Sequence, residues 1–199
     1  MLDILHERMV RAFGNDQEDG DFILNPLARD ALRGQNLRDA AVLIPIVQHV
    51  HGPSVILTLR SANLRKHTGQ IAFPGGAIDA SDGSAIEAAL RETEEEIGLA
   101  RNVPNVIGQM PDYITGSGFR IKPVVALVPP GHELKINTDE VEEAFEVPLA
   151  FLMNPQNHLR ASRQWQGIER FYYEMPYERH RIWGITAGII RALYERVFA

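Results

Sequence analysis

The run Arg91-Glu92-Thr93-Glu94-Glu95-Glu96-Ile97-Gly98-Leu99 places four acids within five positions. In a helix Glu92 and Glu96, four apart, share one face, and Glu95, three from Glu92, flanks it. Like charges at these spacings destabilise a bare helix. A hard, oxygen-seeking cation such as Mg²⁺ or Mn²⁺ would remove the repulsion. Acids close to a helix C-terminus also oppose its macrodipole, so stability alone does not account for them. Arg91 can pair with Glu95 one turn later and orient it. Upstream, Phe73-Pro74-Gly75-Gly76 is a turn that lets backbone approach a ligand closely. Metal-assisted chemistry on an anionic substrate follows; the plainer reading of such a run is a solvated acidic helix face.

A second cluster precedes this one. Arg60, Arg65 and Lys66 concentrate positive charge, and His67 and Gln70 add hydrogen-bonding groups, all within the segment from Leu57 to Gly76. Guanidinium groups are shaped to grip phosphate. The segment reads as an anion-binding loop leading into a metal site, against the alternative of a solvated basic loop.

These groups need elements to hold them. Ser84 to Ile97 is the clearest helix, with Gly98 as its stop. Ala40–Val47 and Val55–Arg60 read as strands joined by the turn His51-Gly52-Pro53. Val103–Thr115 and Ile121–Val128 suggest further strands, ended by Pro129-Pro130-Gly131. Ala144–Val147 is a short strand, Pro148–Met153 a helical turn, Phe171–Tyr173 a strand and Ile182–Phe198 a closing helix. At the start, Leu2–Phe13 has helical spacing, Asn15–Asp21 reads as a loop, and Asn25-Pro26 caps a short helix through Leu32. Strands with intervening and terminal helices give an α/β or α+β sandwich.

At 199 residues the chain is long enough for one domain with a real core. Its net charge of -6 argues against non-specific nucleic-acid binding, which needs clustered Lys and Arg. With no cysteine, disulfides, zinc–thiolate sites and thiol nucleophiles are excluded, in keeping with a cytoplasmic protein. The N-terminus lacks the apolar core of a signal peptide, and no apolar run is long enough to span a bilayer.

The residues from Gly76 to Leu99 resemble the signature box of the Nudix hydrolase family. Gly76, Arg91, Glu92, Glu95, Glu96, Gly98 and Leu99 match it. The sequence departs in three places: one extra residue between Gly76 and Arg91, Asp82 where the first acid is usually Glu, and Thr93 where an aliphatic residue is usual. The extra residue is placed in the loop around Ala80 to Gly83, ahead of the helix. The segment before the box, with Arg60, Ser61, Arg65, Gly69, Phe73, Pro74, Gly75 and Gly76, is similar to the coenzyme A diphosphatase branch, as are Glu146–Leu149 and Ile182–Ala187. The resemblance spans about residues 40 to 195.

The resemblance implies a Nudix-type α/β/α sandwich with a mixed β-sheet and a catalytic loop-helix-loop, as a single domain over 1–199 with 1–35 as an N-terminal helical extension. It implies that Glu92, Glu95 and Glu96 hold Mg²⁺ or Mn²⁺ and that a further carboxylate beyond the box assists. Glu143 is preferred over Glu140 and Glu142 because it immediately precedes an apolar strand. Substrate contacts are expected from Arg60, Arg65, His67, Gln70, Phe73, Gly75 and Gly76, while Trp183 is assigned to core or helix-start packing. The implied reaction splits coenzyme A into 4'-phosphopantetheine and adenosine 3',5'-bisphosphate. The rivals are a Nudix hydrolase of ADP-ribose or another nucleotide, and a non-catalytic Nudix-fold binding module. No nucleic-acid or membrane partner is expected, and assembly as a homodimer is left open.

Overall fold

The computed structural model describes residues 7–8, 17–28, 36–62, 69–165 and 167–199. The expected helix Leu2–Phe13 lies outside them, except for Glu7 and Arg8, which are helical. Arg65 and His67 lie outside them too.

The centre of the molecule is a nine-stranded mixed sheet. Its strands are β1 (Asp19–Gly20), β2 (Arg38–Val47), β3 (Ser54–Arg60), β4 (Ile71–Ala72), β5 (Gly75–Ala77), β6 (Asn105–Gln109), β7 (Tyr113–Ile114), β8 (Phe119–Val128) and β9 (Val141–Pro148). The longest ladder joins β2 and β8 in parallel, from Arg38 opposite Phe119 to Val47 opposite Val128. β2 then divides its other edge. Its first half pairs with β5 through Ala40–Val42, and its last two residues pair with β3. This fork brings the Gly75-Gly76 backbone beside the middle of the sheet.

A strand covered on both faces should be apolar throughout, and β2 is nearly so. Alternate residues serve different layers. Ala41 and Leu43 pack with Ala88 and Ala89 of helix α1 (Ala85–Ile97), together with Val124 and Ala126. Ala40, Ile44 and Ile46 face the larger core on the other side, where Ile189, Ile190 and Leu193 of the last helix are buried. After β9 come a single helical turn, α2 (Leu149–Leu152), and a separate antiparallel sheet of β10 (Leu159–Trp165), β11 (Ile168–Tyr177) and β12 (His180–Trp183). The chain closes with α3 (Ile185–Val197). A mixed sheet between helical layers is the expected Nudix-type architecture.

Several expectations shift. Val103–Thr115 is two strands, because Met110-Pro111-Asp112 interrupts it and Pro111 has no N–H to donate. Ile182–Phe198 is not one helix. Ile182 and Trp183 finish β12, and Gly184, at φ 63, turns the chain into α3. Asn25 precedes a single 3-10 turn over Pro26–Ala28, and the rest of the expected short helix, 29–32, lies outside the described residues. The Asn25 side chain spans to β11, donating to the Phe171 carbonyl and accepting from the Phe171 amide, both at 2.9 Å. With β1 paired to β7, residues 19–28 are thereby built into the body of the protein.

Candidate active site

Helix α1 is fixed at both ends. Ser84 caps it by accepting from the Glu87 amide, and the Glu87 carboxylate accepts from the Gly83 amide, a reciprocal arrangement close to a capping box. At the far end Gly98 adopts the left-handed conformation at φ 69. The amides of Lys135 and Asn137 donate to the terminal carbonyls of Ile97 and Glu96. Thr93, unusual among its apolar neighbours, is fully buried, and its hydroxyl donates to the Ala89 carbonyl at 2.6 Å. The polar atom is thus satisfied inside the helix.

The three box glutamates take different environments. Glu96 points inward and is 2% exposed. It accepts from the Gly75 amide at 3.1 Å and from the Arg60 guanidinium at 3.4 Å. Burial pushes its carboxyl up to about 7, against the opposing pull of Gly75 and Arg60. Glu92 is half-buried and is also raised by desolvation. Its carboxylate lies against Gly76, where a Cβ would stand 2.5 Å from it, so a side chain there would displace the carboxylate. Glu95 faces solvent and pairs with Arg91 at 3.1 Å and Arg101 at 4.0 Å.

Arg91 organises this cluster. Its guanidinium makes a two-pronged contact with Asp82, both bonds at 2.9 Å, and also reaches Glu92 at 2.8 Å. Asp82 accepts from the Asp79 amide as well, and Arg91 holds its carboxyl at about 2. The Asp79–Asp82 turn therefore ties the segment before the helix to Arg91. In this arrangement Asp82 anchors an arginine.

A cleft of about 860 Å³ opens beside these groups. Glu92, Glu96, Arg60, Gln70, Phe73, Gly75 and Gly76 all line it, which brings together most of the residues expected from the sequence. Phe73 is 3% exposed and works from beneath, anchoring the turn in the core. The Nε of Arg60 is buried without a hydrogen-bond partner among the described residues, while the side chain as a whole is about a quarter exposed and lines the cleft.

Of the three downstream acids, Glu140 lines the cleft. Its carbonyl accepts from the Ser61 amide, and Arg60 pairs with Val141 where the β3–β9 register shifts. Glu143 lies elsewhere. It shares a strand face with Phe145 and Val147 and is bound by Arg179 at 2.6 Å and His180 at 3.2 Å. Arg179 holds its carboxyl below the usual range. Trp183 is a strand residue lining the cleft, which corrects its assignment to helix-start packing. The sequence signal missed was Trp183 immediately before a helix-breaking glycine.

Comparison with known proteins places these features. Residues 37–171 match the NUDIX domain family. The chain is 43% identical over 169 residues to an uncharacterised Nudix hydrolase, NudL, of Citrobacter koseri, covering 84% of this chain and 88% of that one. It is 44% identical over 158 residues to NudL of Escherichia coli strain K12, covering 79% and 82%. A crystal structure of a Nudix hydrolase from Alicyclobacillus acidocaldarius shares the fold with TM-score 0.50 and 19% identity, over 81% of this chain and 93% of that one. The chain belongs to the Nudix family, whose hydrolases act on phosphoric anhydrides. No helix among the described residues is long and apolar enough to cross a membrane.

Nudix hydrolases generally use divalent metals such as Mg²⁺ or Mn²⁺. The residues here fit such an ion. Glu92 and Glu96 are hard oxygen donors, both raised chiefly by burial, with Glu95 and Glu140 adding repulsion at Glu92 and Glu92 and Glu140 adding it at Glu96. Among the described residues, no group of three or more His, Asp or Glu is arranged to hold a metal by itself. Glu92 and Glu96 line the cleft together, while Glu95 does not.

Proposed function

We propose that this protein hydrolyses the diphosphate bond of coenzyme A or a close derivative, giving 4'-phosphopantetheine and adenosine 3',5'-bisphosphate. The observation that carries this reading is the cleft. It sets the carboxylates Glu92 and Glu96 beside the guanidinium of Arg60, in a volume suited to a bulky two-headed ligand. The likeness of residues 60–76 to the coenzyme A diphosphatase branch selects the substrate.

A divalent cation bound at Glu92 and Glu96 would supply neutralisation of phosphate charge and a more acidic attacking water. The protein's own groups do the rest. Arg60 grips a phosphate oxygen through donors that Glu96 leaves free. Glu140 is placed to accept a proton from water as its oxygen bonds to phosphorus and the bridging P–O bond breaks. The departing phosphate takes up the proton. Gly76 keeps the Glu92 carboxylate close to the backbone turn, and Arg91 fixes the faces of Glu92 and Glu95. Glu95, which the family resemblance adds to the residues that would hold the cation, is paired here with Arg91 and Arg101.

Hydrolysis of coenzyme A and ADP-ribose at equal concentration, with Mg²⁺ or Mn²⁺, tests the substrate. Faster turnover of coenzyme A is expected, and faster turnover of ADP-ribose would overturn it.

A further inference from the structure

The second sheet presents a face that the hydrolytic end of the cleft does not use. Arg163 on β10 lies directly opposite Arg170 on β11. Opposed residues of an antiparallel pair share a face, and like charges there are destabilising. Both line the cleft, and among the described residues neither pairs with a carboxylate. Arg179 is held by Glu143 and Arg181 by Glu174, while Arg160 lies over the Phe171 ring. Two unneutralised guanidiniums set side by side in a protein of net charge -6 call for an anion.

Aromatic rings surround them. The Arg163 guanidinium lies 5.2 Å from the Trp165 ring and 5.3 Å from the Trp183 ring. Tyr172 meets Trp183 edge-on at 5.5 Å. Trp165 is 54% exposed, an unusual place for an indole. The wall is also held in place, because Asn25 clamps the backbone of Phe171, between Arg170 and Tyr172, from both sides. Flat rings and guanidinium planes together are what stack a nucleobase, and a pair of arginines is what holds a phosphate.

We propose that Arg163 and Arg170, with Trp165 and Trp183, form a subsite for a nucleobase carrying a phosphate monoester outside the scissile diphosphate. This deepens the coenzyme A reading and rests on it for the full substrate. The subsite lies in the same cleft as Glu92 and Glu96, so one molecule can occupy both ends. The proposal makes the extra phosphate a determinant of affinity.

Binding to the intact, metal-free protein separates this from the hydrolysis reading. Calorimetry with adenosine 3',5'-bisphosphate and with AMP should show the bisphosphate binding about tenfold more tightly or better. In the double variant Arg163→Gln, Arg170→Gln that preference should fall to about twofold or less, while Arg163→Lys, Arg170→Lys should retain part of it. Trp165→Ala should weaken both ligands. In turnover, the Gln double variant should raise KM for coenzyme A several-fold more than KM for 3'-dephosphorylated coenzyme A, with kcat little changed. Equal binding of the two nucleotides to the unaltered protein, or an undiminished preference in a Gln variant with unchanged unfolding midpoint, would overturn the subsite. Tight, arginine-dependent bisphosphate binding without coenzyme A cleavage would uphold the subsite and refute the proposed substrate instead.

Discussion

The backbone amide of Gly75 donates to the carboxylate of Glu96 over 3.1 Å, joining the turn before the box to the last turn of helix α1. The contact explains how a buried acid is held at the mouth of a cleft. It also exposes a conflict between folding and chemistry. The carboxyl ordinarily titrates at 4.5 and here at about 7, so ionising it costs the fold on the order of 3 kcal/mol.

The sign of that effect sets the first prediction. A raised carboxyl contributes stability that is fully present below 4.5 and is lost as pH rises through about 7. Glu96→Gln should therefore raise the unfolding midpoint of the metal-free protein at pH 8 by several degrees and change it little at pH 4.5, at roughly 2–4 °C per kcal/mol. The same variant should lose at least about 100-fold in kcat. Thermal unfolding in EDTA, alongside steady-state kinetics, checks both halves.

Glu140 and Glu143 are three residues apart and have opposite expected outcomes. Glu140→Gln should lower kcat by about 10²–10⁴-fold with little effect on folding. Glu143→Gln should leave kcat within about threefold and cost roughly 0–1 kcal/mol of stability through its contacts with Arg179 and His180. Kinetics of the two variants side by side decide between the carboxylates.

Asp82→Asn should weaken the grip on Arg91 and so loosen Glu92. A rise of about 10- to 100-fold in the Mg²⁺ concentration for half-maximal activity is expected, with kcat at saturating metal largely retained. A metal titration of activity measures this.

Gly76→Ala should be far more damaging than its size suggests. The added methyl would stand 2.5 Å from the Glu92 carboxylate and push it off the cleft wall. Activity should fall by at least about 100-fold, while far-ultraviolet circular dichroism remains that of the unaltered protein.

The helix and its carboxylates were legible in sequence because α1 carries every local signal at once: cap, periodicity, acid spacing and a terminal glycine. The aromatic wall was not. Leu159-Arg160-Ala161-Ser162-Arg163-Gln164-Trp165 forms β10, yet its residues are mostly exposed, so it lacks the alternation that marks a half-buried strand. Trp183 was hidden for the opposite reason, since the apolar residues of β12 and α3 run together across Gly184. The preference for Glu143 rested on its place before an apolar strand. Which acid reaches the cleft depends on the shifted register between β3 and β9, a long-range pairing that no local pattern encodes. Asn25 likewise reads as a local cap while its partner, Phe171, lies far along the chain.

Chelation and product identification bear most directly on the central claim. Coenzyme A incubated with the protein and Mg²⁺ should yield equal amounts of 4'-phosphopantetheine and adenosine 3',5'-bisphosphate by mass spectrometry. EDTA should abolish both products, and added Mg²⁺ or Mn²⁺ should restore them. Release of inorganic phosphate with the diphosphate intact, or cleavage that persists undiminished in Glu96→Gln, would contradict hydrolysis at this carboxylate pair.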